Sequence, residues 1–179
     1  MGTDKALLTY HGRTFLEHIL GTLHDAGLTQ LTVVLGHHAD EIQRATRLTE
    51  TEVVINQDYH RGQTSSLQAG LRILDRRDIK AIILCLVDHP AISACVINKL
   101  VAVFEKSAAP VVIPTHQGQR GHPVLIAREL FTELLGLNAK DGANTIIRKY
   151  RDNTKFVEVD DPGVLMDVDD PESYRRLER

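Results

Sequence analysis

The chain has 179 residues, 42% hydrophobic and 25% charged, which is the length and composition of one compact domain with a full core. Its formal net charge of −3 comes without any block of lysines or arginines, which excludes the electrostatic footprint of sequence-independent nucleic-acid binding or of a basic membrane patch. The two cysteines exclude a disulfide framework: Cys85 lies inside the apolar run AIILCLV as a small buried hydrophobe, and a reducing, cytoplasmic setting is expected. That run is too short to cross a bilayer, and no charged-then-apolar leader opens the chain, so neither membrane insertion nor secretion is expected.

In chain order, MGTDKALL has the look of a glycine turn feeding a helix, with Lys5 aimed at the same place, the makings of a phosphate site. Thr14 is a candidate N-cap for a helix that places Phe15, Leu16, Ile19, Leu20 and Leu23 on one face and stops at Gly27. A buried strand follows at 31–35, a helix at 39–46, a strand at 51–55 and a helix over about 64–75. Residues 81–87 form the strongest and most buried strand, followed by a helix through Val96, Ile97, Leu100, Val101 and Phe104. Two strands, 109–114 and 123–127, are joined by the polar turn THQGQRGH and are candidates for an antiparallel pair. Helices near 127–135 and 141–151, a strand at KFVEV and a last helix opened by Asp170 and Pro171 complete the pattern. Alternation of apolar runs with helical periods is the signature of an α/β domain with a mainly parallel sheet.

Ligands of open α/β sheets bind beyond the carboxyl ends of the strands, so the residues after each apolar run are the candidates. Asp88, in VDHP, follows the strongest strand; it reads either as a metal-binding carboxylate or as the start of a loop. A partner carboxylate is available in LMDVDDPESY, where only one of Asp167 and Asp169 is expected to face Asp88. Gly62, Thr64, Ser65 and Ser66 open a helix and offer hydroxyls and free N–H groups to a phosphate or base edge, or an ordinary cap. Gly121 and His122 before Pro123, and Asp141 with Gly142 at a helix start, are loops that approach a ligand or plain turns. The nine histidines show no zinc spacing with cysteine, and neither a G-x-S-x-G elbow nor a G-x-x-x-x-G-K-[ST] loop occurs.

Seven segments in order, DKALL, VVLGHHADEI, VVINQDYHRGQTSSLQAGL, LVDHPAIS, RGHPVLI, KDGAN and VLMDVDDPESY, resemble the molybdenum cofactor nucleotidyltransferases, most closely the cytidylyltransferase branch. The resemblance covers essentially the whole printed chain. It implies a Rossmann-like nucleotidyltransferase fold in a single domain over 1–179 and transfer of a nucleoside monophosphate, CMP from CTP, to molybdopterin cofactor with release of pyrophosphate. Mg²⁺ is the implied cofactor, with Asp88 and Asp169 as its ligands and Asp88 and Lys5 as the catalytic pair. Lys5, Gly36, Asn56, Thr64, Ser65, Ser66 and Gly70 fall on the nucleotide segments, and Gly121, His122, Pro123, Asp141 and Gly142 on the acceptor segments. A molybdoenzyme or a second copy of the chain are the further partners it allows.

The same resemblance places an apolar strand and a loop of the type L-A-A-G-x-S-x-R ahead of Met1, relative to which the printed chain is truncated at its amino end. Lys5 is therefore expected to be poorly ordered. His89 stands where the family has glutamine, Asp170 where it has threonine, and Asn144 where it has arginine; His89 and Asn144 are candidates for altering base or acceptor preference. Two alternatives to the transferase reading stay open: a catalytically impaired, chaperone-like cofactor-binding homologue, and a transferase acting on another phosphorylated acceptor.

Overall fold

The structure, a computed structural model, describes residues 4–49, 51–75, 78–138 and 140–177. Asp4 opens it by capping a single 3-10 turn, Lys5–Leu7, its carboxylate accepting the Ala6 N–H at 3.0 Å. A hairpin follows, β1 (Thr9–Tyr10) and β2 (Arg13–Thr14), turning through His11 and Gly12, both at positive φ. The sequence reading missed it, because strands of two residues carry no alternation to detect. Thr14 then caps α1 (Phe15–Asp25): its hydroxyl accepts the Glu17 N–H while the Glu17 carboxylate accepts the Thr14 N–H. Gly27, at φ +82°, ends the helical segment in the left-handed region that glycine enters without steric cost.

Then come β3 (Leu31–Leu35), α2 (Ala39–Ala45), β4 (Thr51–Ile55), α3 (Gln63–Leu74), β5 (Ala81–Leu84) and α4 (Ala94–Ser107). β6 (Val111–His116), β7 (Gln119–Arg120), β8 (Val124–Ala127), α5 (Phe131–Leu135), α6 (Ala143–Lys149), β9 (Lys155–Glu158) and α7 (Pro171–Leu177) complete the order. β3 and β4 pair in parallel, Leu31 opposite Thr51. β5 pairs antiparallel with β8, β8 antiparallel with β6, and β6 parallel with β9, so β8 runs against three strands that share a direction. The carboxyl ends of β3 and β5 reach the same short segment: the Asp4 carboxylate is 3.6 Å from His38 Nδ1, and Lys5 Nζ is 3.7 Å from Asp88 Oδ2.

Helices cover both faces. Ile19 and Leu23 of α1 and Ile97 of α4 pack with Leu31 and Ile83 on one side. On the other, Leu71 of α3, Leu134 of α5 and Ile146 of α6 pack with Val111, Val124 and Ile126, joined by Ile82 and Leu84. Ile83 thus faces one helical layer and its two neighbours the other, the period of two of a strand covered on both faces. Every residue of β5 is nevertheless only half-buried, and the strand stops at Leu84 rather than Val87. Its one partner among the described residues is β8, so one edge and the flanking side chains face open space. No helix among the described residues is long and apolar enough to cross a membrane.

Candidate functional site

One backbone hydrogen bond assembles the centre of the site. The Val168 N–H donates to the Asp88 carbonyl at 2.8 Å, and Val168 is buried beside Phe15 and Leu177. This draws 167–169 alongside the loop after β5, although the segments are far apart in sequence. The Asp170 carboxylate caps α7 by accepting the N–H groups of Glu172 and Ser173 at 2.8 and 2.7 Å, and the Ser173 hydroxyl accepts the Asp169 N–H at 3.1 Å. Asp169 is thereby fixed at a helix start, as is Lys5 by the Asp4 cap.

Lys5 Nζ lies 2.5 Å from Asp169 Oδ1 and 3.7 Å from Asp88 Oδ2. Partial burial pulls the ammonium down, but the Asp169 hydrogen bond and the charges of both carboxylates outweigh it and hold Lys5 above its ordinary value. Asp169 is held below the usual carboxylate range by the hydrogen bond and charge of Lys5. Lys5 is thereby placed between the two carboxylates. Residues two apart in an extended chain share a face. Here Val168 turns into the core between them, and the Asp167 and Asp169 carboxylates both act on His89, next to Asp88.

His89 and His122 come together beside Asp88, with ring centroids 4.7 Å apart. Burial lowers both pKa values; the carboxylates of Asp88 and Asp167 oppose it without prevailing, and His89 itself lowers His122 further. Both imidazoles are neutral at neutral pH. The two Nδ1 atoms and Asp88 Oδ1 are buried without a hydrogen-bond partner. The His122 loop is pinned from behind: its N–H donates to the Val164 carbonyl at 2.8 Å, and a Cβ on Gly121 would stand 2.4 Å from that oxygen. Gly121→Ala is expected to cost about 1–3 kcal/mol, as overpacking against backbone does, and to move His122 off its seat. A thermal melt of the variant that matches the parent would contradict this.

The nucleotide-segment residues form a second group. Asn56 is buried and donates to the hydroxyls of Ser65 and Ser66 at 2.9 and 3.0 Å, while Ser65 donates to the Gly62 carbonyl at 2.7 Å. The Thr64 hydroxyl donates to the Asp141 carbonyl, tying the start of α3 to the loop before Gly142. Gly62, at φ +95°, precedes α3 and leaves its first N–H groups without a side-chain cap. Gly70 and Gly36 are placed by packing: a Cβ on Gly70 would be 3.0 Å from Val34, and one on Gly36 would be 2.5 Å from the Tyr59 Cβ. A cavity of about 1210 Å³ opens between the groups, reaching Thr64, Ser66, His122, Gly142 and Asn144. Pro123 follows His122 through a cis peptide bond and is buried.

These residues fit a divalent cation. Two carboxylates from distant segments converge on one cationic group, and Asp88 Oδ1 is left with a free lone pair in a buried position. Among the described residues no group of three or more His, Cys, Asp or Glu side chains could hold a metal ion. A cation there would draw its remaining ligands from substrate and water, as Mg²⁺ does in nucleotide enzymes.

A family model described as the MobA-like NTP transferase domain matches residues 1–154. The chain belongs to the MobA-like NTP transferases. Among solved structures, it is similar to Rv0371c from Mycobacterium tuberculosis H37Rv, with a TM-score of 0.88, 30% identity, and coverage of 99% of this chain and 89% of that one. It is likewise similar to a complex of Rv0371c with manganese, with a TM-score of 0.83, 28% identity, and coverage of 97% and 90%. Nicotine blue oxidoreductase of Paenarthrobacter nicotinovorans is 28% identical over 97% of this chain and 87% of its own length. The three-layer sheet is thus the Rossmann-like fold of these transferases, as the sequence implied.

Sequence reasoning missed what aims Lys5 and Asp169 in this MobA-like chain. The Asp4 cap orients Lys5, and Val168 anchors the carboxylate segment. The first had a signal, an Asp ahead of a short apolar run. The second had none, because a buried valine looks the same wherever its backbone points.

Proposed function

We propose that the chain transfers CMP from CTP to molybdopterin cofactor, releases pyrophosphate, and works in the cytoplasm with Mg²⁺. The observation that supports this best is Lys5 held between Asp88 and Asp169, a cluster of alternating charge next to the paired neutral imidazoles of His89 and His122. In the reaction, an ionised oxygen of the acceptor phosphate attacks the α-phosphorus of CTP. The new bond joins that oxygen to phosphorus, the bond from the α-phosphorus to the bridging oxygen breaks, and pyrophosphate leaves with the electron pair. The attacking oxygen carries no proton, so the site needs no strong base; it needs alignment and charge neutralisation.

Bound Mg²⁺ would supply Lewis-acid neutralisation of the phosphate oxygens, held by Asp88 and Asp169. Lys5 has a positive charge to give to the triphosphate. The Ser66 hydroxyl accepts from Asn56 and keeps its own proton to donate toward the nucleotide, beside the uncapped N–H groups of α3. On the acceptor side Gly121, His122 and Pro123 form a loop braced on Val164, and Gly142, which follows Asp141, lines the cavity. Neutral His89 and His122 suit a polar heterocycle better than a second phosphate. His89 also favours a second reading, transfer to a different phosphorylated acceptor, because it replaces the glutamine usual at that position.

The test is pyrophosphate release with each of CTP, GTP, ATP and UTP, with and without molybdopterin cofactor, in Mg²⁺. Release with CTP that depends on the cofactor is expected. Release with no nucleotide under any condition would overturn the proposal, and tight cofactor binding without turnover would favour a binding protein.

A further inference from the structure

The segment that carries Asp169 meets the segment that carries Lys5, although the two are 164 residues apart. Among the described residues, hydrogen bonds join residues 4–14 to residues 167–177 at two places. One is the Lys5 ammonium on Asp169 Oδ1 at 2.5 Å. The other is a single oxygen: the Tyr174 phenol donates to the Thr9 carbonyl at 2.8 Å and lies 3.2 Å from the Thr9 hydroxyl, which is left to donate to it. Both ends of this second link are anchored. Thr9 pairs with Thr14, the cap of α1, and the neighbouring Leu8 carbonyl accepts the Phe15 N–H at 2.7 Å. The half-buried Tyr174 ring packs with Leu8, Phe15 and Leu177, its centroid 5.9 Å from that of Phe15. It stands on the helix whose start fixes Asp169, one residue beyond the Ser173 hydroxyl that accepts the Asp169 N–H.

We infer that Tyr174 is a positioning residue: its bond to Thr9 is the strap that keeps Asp169 facing Asp88 when the Lys5 ammonium leaves that carboxylate. This role rests on Lys5 and Asp169 being the triphosphate and metal ligands of the proposed reaction. In the free protein the ammonium bridges Asp88 and Asp169 and closes the site by itself. A polyphosphate that draws Lys5 away removes the bridge, and a metal that takes the carboxylates displaces it. Asp169 is exposed, so its place then depends on the Val168 N–H bond to the Asp88 carbonyl and on the strap. Two links in parallel mask each other's loss. The phenol therefore matters most when the ammonium is gone, which is the state a bound ligand creates.

The test uses Mn²⁺ alone, without nucleotide, so that it does not depend on turnover. Affinity is measured by calorimetry in the parent, Tyr174→Phe, Lys5→Met and the double variant; phenylalanine keeps the ring in its cluster and removes only the oxygen. Tyr174→Phe is expected to lower affinity by about two- to tenfold in the Lys5→Met background, the scale of one net hydrogen bond, and by less than about twofold where Lys5 is present. Tyr10→Phe is the control, because it takes a phenol from the same apolar cluster, and in the Lys5→Met background it should leave affinity unmoved. An equal or larger loss where Lys5 is present overturns the inference, since a general loosening of the fold acts whether or not the ammonium is there. No loss in either background, or the same loss from Tyr10→Phe, also overturns it. If Mn²⁺ binds none of these proteins, the metal reading fails, and amide hydrogen exchange of residues 167–174 in the same metal-free chains judges the strap. Exchange that quickens about two- to tenfold only when ammonium and phenol are both gone supports it; any other pattern overturns it. Should the double variant not fold while Lys5→Met with Tyr10→Phe does, the inference stands. If neither of these folds, or Tyr174→Phe alone does not, it fails.

Discussion

Replacing Asp88 with asparagine is expected to lower kcat/KM for pyrophosphate release by about 10³-fold, with little change in the melting temperature. The size follows from the several kcal/mol of charge stabilisation a catalytic divalent ion supplies, at about 1.4 kcal/mol per decade. The side chain keeps its shape and the Val168 N–H still finds the residue 88 carbonyl, so the segment carrying Asp169 stays in place. What is lost is one of two carboxylates that face the same cation, including an oxygen that is buried and unpartnered in the free protein. Asp169→Asn should cost less, about tenfold, because that carboxylate is exposed and Asp167 stands beside it. Steady-state rates at saturating Mg²⁺, with near-UV circular dichroism to verify folding, decide the matter. Parent-like activity of Asp88→Asn would remove the proposed metal role.

The Asp88 loop also marks how far the sequence could be read. Its position after the strongest apolar run placed it at the edge of the sheet, and the structure has it there. That run was expected to be the most buried strand, because an apolar run reports which residues prefer burial and not whether neighbours are available to bury them. Half-buried β5 is what such a run becomes when one edge meets open space. Thr14 and Gly27 set the ends of α1 through local chemistry, a capping box and a left-handed turn, and both were legible for that reason. The antiparallel β6–β8 pair was legible because its connection is short and polar.

Long-range brackets were not. The partners of Asn56 lie in the same quoted segment, yet nothing in NQDYHRGQTSS says that its amide donates to two serines and so sets which way the Ser66 hydroxyl can donate. Gly36 and Gly70 fall on the nucleotide segments by resemblance; the structure adds that Tyr59 and Val34 pack where a Cβ on each would stand, while Gly70 still lines the cavity. A missing Cβ signals close approach without saying by what. Gly121 carries the same ambiguity, and here the approaching group is the Val164 carbonyl that holds the His122 loop.

Lys5→Met is expected to move two affinities in opposite directions. In the free protein the ammonium lies where a cation would, 2.5 Å from Asp169 and 3.7 Å from Asp88, so it competes with a metal for both carboxylates. Without it, calorimetric affinity for Mn²⁺ in the absence of nucleotide should rise about two- to fivefold, the scale of a partly exposed ion pair. Affinity for CTP in the presence of metal should fall about 10- to 100-fold, since a charge-assisted hydrogen bond to the triphosphate is lost. The difference should be flat around neutrality. Lys5 is held above its ordinary value, so its share of the pairing is complete below the usual lysine range and lost only as pH rises beyond it. Asp169 is held below the carboxylate range, so its share is present above that range and lost only as pH falls through it. If metal and CTP affinities fell together, Lys5 would be a support for the carboxylates and not their competitor. If neither moved, its place between Asp88 and Asp169 would have no part in binding.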